Sequence, residues 1–97
     1  MSRFYEDCRN NNIHQVRNTL TNPYYKAEQF LNLVDENGWT PLFVACDRGH
    51  VEIVKILISS RANIEASDND GDTPLGIACI PGHFEIVNIL IQSKANI

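Results

Sequence analysis

Two cysteine–histidine pairs have the residue types and spacing that come closest to a metal site. Cys46 precedes His50 by four residues, and Cys79 precedes His83 by four, which would place both ligands on one face of a helix. A glycine comes directly before each histidine, and a glycine there ends a helix. No CxxC or HxxxH spacing accompanies them. We therefore expect no metal site, and we expect these cysteines and Cys8 to be packed as small apolar side chains.

The sequence contains few features that would indicate catalysis. It contains no nucleophile elbow, no glycine-rich phosphate loop and no kinase motif set. A Ser–His–acid or Cys–His–acid triad assembles in space, so spacing alone does not test for one. We predict a chain that is not an enzyme, with no catalytic residue and no cofactor.

Composition and charge restrict the class of partner. The 97 residues are 43% hydrophobic and 21% charged, as in an ordinary globular domain, and the net charge of -4 has the wrong sign for binding nucleic acid. No run of about 18 apolar residues predicts a membrane span, and the first residues lack the apolar centre of a secretory signal. The three cysteines are too few and too scattered for a disulfide framework. We expect a cytoplasmic chain that binds neither nucleic acid nor membrane.

The sequence repeats itself with a period of 33 residues. Residues 35–64 align with residues 68–97, and 19 of the 30 aligned positions are identical. Each copy predicts a turn followed by two helices. In the first copy Thr40 suits a helix N-cap, and Gly49 suits the left-handed end of that helix. A second helix is predicted from Val51 to about Ser59, with its equivalent from Phe84 to about 92.

The second helices are too apolar to face water on any broad side. Val51, Ile53, Val54, Ile56 and Leu57 lie around more than one stripe of the helix. A single turn–helix–helix unit cannot cover so much apolar surface. The units must therefore stack on their neighbours.

This pattern closely resembles the ankyrin repeat. The resemblance rests on Thr-Pro-Leu-Phe-Val-Ala (40–45), Thr-Pro-Leu-Gly-Ile-Ala (73–78) and the Gly-His-Val-Glu-Ile-Val run after the first of them. It implies an all-α solenoid of stacked helix–turn–helix units with short β-hairpin tips. Phe43 and Gly76 stand where the family has histidine, which affects hydrogen bonding at the helix start. Arg61 and Lys94 stand where the family has glycine, so strain is expected there.

We divide the chain into three predicted units. Unit one (1–34) is a degenerate N-terminal capping repeat, because Cys8, Ile13 and Val16 align with unit two at a shift of 38 but the segment is polar. Unit two (35–67) is a full repeat. Unit three (68–97) is a repeat that ends at a repeat boundary.

The family resemblance also implies where a partner protein binds. Ankyrin-like units hold partners at the hairpin tips and on the concave face of the first helices, at positions where this chain's two clear copies differ. Those positions are Glu36, Asn37, Trp39, Asp47, Arg48, Asn69, Asp70, Asp72, Ile80 and Pro81.

Two of these features have competing interpretations. Trp39 has an aspartate as its counterpart in unit three, so it is either a binding anchor or a ring lying over its own hairpin and the neighbouring tip. Nine of the twelve acidic residues fall within residues 34–97, many of them in the tips. They are either turn formers or a site for a partner with a basic surface.

The function that follows is non-catalytic protein–protein interaction. Two alternatives stay open: a regulatory or targeting module of a larger enzyme, and a structural spacer in a longer repeat array. A sequence that continued into a catalytic domain would favour the first alternative, and many further repeats would leave the second open.

Unit three lacks a polar outer helix, and this generates a first prediction. Its second helix keeps the apolar pattern of an internal repeat, which leaves apolar surface for self-association. We expect the 97-residue chain on its own to form weak, concentration-dependent dimers or to fray over residues 84–92. Light scattering that shows a strict monomer, together with full hydrogen-exchange protection of 84–92, would contradict this.

Overall fold

The described chain is built from three pairs of helices and one short helix between the first two pairs. A computed structural model describes residues 3–93, which form helices and turns without a β-strand. The helices are α1 (Arg3–Arg9), α2 (Ile13–Thr21), α3 (Glu28–Leu31), α4 (Pro41–Arg48), α5 (Val51–Ser59), α6 (Pro74–Cys79) and α7 (Phe84–Gln92). None of these helices is long and apolar enough to cross a membrane.

The pairs stack in two layers. Within the pairs, α1 packs on α2, α4 on α5, and α6 on α7. Between pairs, α1, α4 and α6 contact one another in order, as do α2, α5 and α7. This all-α stack confirms the predicted fold class, although the tips expected as short β-hairpins are turns without a strand among residues 3–93. The pairs fall within the predicted units, whose exact boundaries stay a prediction.

The first helices of units two and three begin at threonine caps. The hydroxyl oxygen of Thr40 accepts a hydrogen bond from the N–H of Phe43, and that of Thr73 accepts one from Gly76, each at 3.1 Å. A proline follows each threonine at the first helical position, where no N–H is needed. The two departures from the family pattern therefore leave the helix cap intact.

The second helices have the predicted bounds and carry the core. Ile53, Val54 and Leu57 of α5 are fully buried, as are Ile86 and Leu90 of α7. Burial on more than one side of α5 comes from α4 within its own pair and from α2 and α7 in the neighbouring pairs. The excess of apolar residues in one unit is thus explained by stacking.

The prediction that all three cysteines are packed is wrong for Cys79. Cys8 and Cys46 are fully buried, and burial raises the pKa of each thiol to about 12. Cys79, at the equivalent position of α6, is exposed. The first helix of a following unit packs on α1 and on α4, but among the described residues none packs on α6, so nothing covers this cysteine.

Helix α6 is shorter than its counterpart α4. It ends at Cys79, and Ile80 is its C-cap residue. Pro81 has no N–H to continue the helical hydrogen bonds. The left-handed turn expected at the end of the helix comes later, at Gly82 with φ +78°. The helix therefore ends before Pro81, and Gly82 does not itself end it, contrary to the expectation for a glycine that precedes the histidine.

Arg61 occupies a backbone conformation that favours glycine. Its φ is +71°, in the left-handed region, immediately after the end of α5. A β-carbon there is costly for an L-residue. The predicted strain at Arg61 is therefore present, and Lys94, its counterpart, lies outside the described residues.

This strain predicts that Arg61→Gly stabilises the chain. Removing the β-carbon relieves the left-handed penalty, and the gain exceeds the entropy that glycine adds to the unfolded chain, by about 0.5–1 kcal/mol. Urea unfolding of both proteins measures the difference. Arg17→Gly, inside α2, is the matched control and should lose about 1 kcal/mol. An Arg61→Gly chain no more stable than the original would contradict the prediction.

Candidate protein-interaction site

An aspartate organises the turn at the tip of unit two. The Oδ1 atom of Asp35 accepts hydrogen bonds from the N–H groups of Asn37 at 2.8 Å and Trp39 at 3.0 Å. Its Oδ2 accepts a 2.6 Å bond from the Tyr5 hydroxyl of α1. One oxygen therefore shapes the turn, while the other holds it to unit one.

The tip of unit three repeats this arrangement with different residues. The Oδ1 atom of Asp68 accepts from the N–H groups of Asp70 at 3.0 Å and Asp72 at 2.8 Å. Its Oδ2 accepts a 3.2 Å bond from the indole N–H of Trp39. An aromatic donor of the preceding unit thus meets the tip aspartate in both places.

These bonds change the acidity of Asp35 and Tyr5. Partial burial opposes ionisation of Asp35, but bonds donated by Tyr5 and by the N–H groups of Trp39 and Asn37 outweigh it and lower the pKa of the carboxyl. Burial, followed by the bond to the carboxylate, raises the pKa of the Tyr5 phenol. The neutral phenol and the ionised carboxylate therefore form the stable pair.

The two tips, turns 35–39 and 68–72, are bonded directly to each other. The N–H of Asn69 donates to the Asn37 carbonyl at 2.9 Å, and its Nδ2 donates to the Glu36 carbonyl at 3.0 Å. Gly38, with φ +78°, lies so close to Asn69 that any β-carbon would collide with it. Glycine is required there both by backbone conformation and by this contact.

Histidines make the matching connection at the other end of the first helices. The Nε2 atom of His50 lies 2.7 Å from the carbonyl oxygen of Arg9, and that of His83 lies 3.1 Å from the carbonyl of Asp47. Because a carbonyl only accepts, each Nε2 carries the proton. The His83 ring also lies against Gly49, where a β-carbon would come within 2.7 Å of it.

Trp39 is part of this scaffold as well as a candidate contact. It is half-buried, its ring lies 4.8 Å from that of Phe43, and its N–H is taken by Asp68. These contacts are those of a ring lying over its own turn and the neighbouring tip. A role as binding anchor stays a prediction.

The other candidate residues differ in exposure and in whether their side chains are already bonded. Glu36, Asp70 and Asp72 are exposed, and within residues 3–93 their carboxylates make no hydrogen bond or ion pair. Asn37 and Asn69 are also exposed; Asn69 uses its side-chain amide in the tip bonds, whereas Asn37 contributes only backbone groups. The remaining candidates are Asp47, which is half-buried, and the exposed Arg48, Ile80 and Pro81.

The three tip aspartates of unit three also lie close together. Ligand oxygens of Asp68, Asp70 and Asp72 lie within 4.8 Å of one another. Both oxygens of Asp68 already accept hydrogen bonds from N–H groups. The geometry of the turn is sufficient to explain this cluster.

One exposed aromatic was not singled out as a candidate from the sequence. Phe84, the first residue of α7, is 79% exposed, and Ile80 just before it is 77% exposed. Its ring extends toward Gly82, on the same stretch of chain. The sequence alone could have indicated this residue, because Phe84 stands where unit two has a valine.

The family described as ankyrin repeats (three copies) matches residues 5–97. The chain belongs to the ankyrin repeat family. Ankyrin repeats are generally protein-interaction modules and are typically non-catalytic. The three matched copies agree with the three stacked helix pairs.

Several curated proteins resemble parts of this ankyrin chain. The acyl-CoA-binding domain-containing protein 6 homolog of Dictyostelium discoideum is 41% identical over 54 residues, which are 56% of this chain and 17% of that protein. Protein fem-1 homolog CG6966 of Drosophila melanogaster is 37% identical over 62 residues, 63% of this chain and 9% of that protein. Acyl-CoA-binding domain-containing protein 6 of Rattus norvegicus is 37% identical over 54 residues, which are 56% of this chain and 18% of that protein. The chain thus spans less than a fifth of each.

The tip geometry predicts a pH dependence of stability. Because the pKa of Asp35 is lower in the folded chain than its ordinary value of about 3.9, its contribution is present above that pH and is lost as the pH falls through the folded pKa. Asp35→Asn should therefore lose less stability than the original chain between pH 5 and pH 3, as measured by urea unfolding.

The neighbouring Glu36→Gln is the matched control. Its exposed carboxylate makes no bond within the described residues, so this change should leave the pH dependence unaltered. Identical acid profiles for Asp35→Asn and the original chain would contradict the role given to the tip aspartate.

Proposed function

We propose that this chain is a non-catalytic protein–protein interaction module that binds a partner through its tips and the concave face of its first helices. The observation that carries the proposal is that some polar side chains of the tips are bonded between units while others are unbonded. Asp35, Asp68 and Asn69 are used to bond the units together, whereas the carboxylates of Glu36 and Asp70 have no bond within the described residues. A rigid frame that presents free polar groups supports recognition.

We further propose that the partner presents a basic surface. Glu36, Asp70 and Asp72 are three exposed carboxylates on two tips that are hydrogen-bonded together. Both ion pairs within residues 3–93 involve Lys55, so no described cation neutralises these acids. Charges of this kind mainly raise the association rate and make binding sensitive to salt. The turn-forming role considered from the sequence belongs to Asp35 and Asp68.

An apolar patch at the C-terminal end of α6, the end opposite the tip of unit three, offers a place for an anchoring side chain. Ile80 and Phe84 are more than three-quarters exposed, and the exposed Pro81 stiffens the segment between them. Apolar residues at the centre of an interface contribute most when a partner covers them completely. We therefore rank this patch above Trp39, whose polar atom is already bonded.

The proposal concerns recognition and leaves open the size of the protein in which it occurs. The curated relatives are at least five times as long as the segments they share with this chain. In such a context the same tips would serve a targeting or regulatory module of a larger enzyme. A structural spacer in a longer repeat array would instead have its partner contacts elsewhere.

Neutralising the free tip acids tests the proposal. A variant in which the three exposed tip carboxylates are replaced by amides should still fold, because none of the three makes a bond within the described residues. Capture from a cell lysate, followed by affinity measurement with the recovered protein, should show binding weakened by about tenfold and much less dependent on salt. The substitutions are Glu36→Gln, Asp70→Asn and Asp72→Asn.

A second triple variant controls for net charge. It removes the same three charges from exposed positions on α1, α3 and α7 and should bind like the original chain. Its substitutions are Glu6→Gln, Glu28→Gln and Glu85→Gln. Equal affinity of the two triple variants for the captured partner would contradict the proposed site.

A further inference from the structure

A groove crosses unit one between α1 and α2, away from the tips of units two and three. It consists of two adjoining cavities of about 300 and 370 Å³. Arg3, Asp7 and Gln15 line both cavities, so these residues mark where the cavities meet. We call this feature the N-terminal groove.

Asp7 is the unusual residue of this groove. It is 7% exposed, and it is the one buried residue with a charged side chain among residues 3–93. Its Oδ1 accepts a 3.0 Å bond from Nδ2 of Asn12, but no described cation pairs with it. A buried carboxylate without a counter-charge is costly.

Aromatic rings form the apolar side of the same groove. Phe4, Tyr25 and Phe30 line the first cavity. The rings of Phe4 and Phe30 lie 5.3 Å apart, and those of Tyr25 and Phe30 lie 5.4 Å apart, edge to face. Tyr25 is half-exposed, which leaves it open to contact from outside. Such rings favour the aliphatic stem of a basic side chain and attract its charge.

We propose that the N-terminal groove binds a lysine side chain from an extended segment of a partner protein. The ammonium group donates to the Asp7 carboxylate, and the methylene groups lie along the rings of Phe4 and Tyr25. Lysine suits the site because its charge is compact and sits at the end of a flexible apolar stem. Arg3, exposed and one helical turn before Asp7, lines both cavities without pairing with the carboxylate, so its charge opposes an incoming ammonium group. This proposal is independent of the tips.

Peptide titration of the full chain tests the proposal. Labelled protein is titrated with acetyl-Gly-Lys-Gly-amide and, as a matched control, with acetyl-Gly-norleucine-Gly-amide, which has the same stem without the charge. Backbone NMR shifts should change around Asp7, Gln15 and Tyr25. The lysine peptide should bind about tenfold more tightly than the control, as expected for a hydrogen bond to a buried charge.

Variants then identify the group that is responsible. Asp7→Asn should reduce lysine-peptide binding by about tenfold, whereas Glu6→Gln, which removes the same charge from the exposed neighbouring position, should not. Arg3→Gln should strengthen binding severalfold by removing a positive charge beside the site. If Asp7→Asn fails to fold, the lysine and norleucine peptides on the unaltered chain decide the question.

Three results would overturn the proposal. They are equal affinity for both peptides, no shift change up to the solubility of the lysine peptide, and shift changes confined to Glu36 and Asp70. The last would place lysine at the tips and support the proposed function instead. Conversely, lysine binding at Asp7 that survives in the tip triple variant would support the groove whatever the fate of the tip site.

Discussion

Stacking of each helix pair on the pair before it is the constraint on which this molecule depends. The second helices are apolar on too many sides to be stable alone, and α5 is covered only when neighbours lie on both sides. His50 and His83 fix the stacking by donating to carbonyl oxygens of Arg9 and Asp47 in the preceding units. Because these acceptors are backbone atoms, the side chains at their positions are free to vary. The same scaffold can therefore carry an arginine in one unit and an aspartate in the next.

At the tips, bonds between successive units involve side chains on both sides. Asp35 and Asp68 use one oxygen to shape their own turn and the other to accept a bond from an aromatic residue of the preceding unit. Their charge is therefore part of the fold. Glu36, directly after Asp35, and Asp70, two residues after Asp68, contribute only backbone groups to these bonds. Acidic residues close together in sequence thus fall into two classes, and only the free class is available to a partner.

The structural features that the 33-residue period determines could be predicted from the sequence, whereas features that depend on neighbours in space could not. The threonine caps and the bounds of α5 and α7 were predictable, since each rests on local chemistry that occurs twice. The exposure of Cys79 was not, because the same residue type is covered in units one and two, where a following unit stacks on the first helix, and no described unit follows α6. The bond from Trp39 to Asp68 spans 29 positions between units, so no local pattern indicated it.

Unit one shows how a repeat can change at the end of a stack. It lacks the Thr-Pro-Leu start, yet it keeps the contacts that face unit two: Tyr5 donates to Asp35, and the Arg9 carbonyl accepts from His50. Asn11, with φ +61°, takes the place of the left-handed glycine, a substitution that asparagine tolerates better than most residues. The contacts preserved are those that stacking requires. The rest of the unit is released from the repeat pattern, and Asp7, buried without a cationic partner in the described chain, lies in that released part.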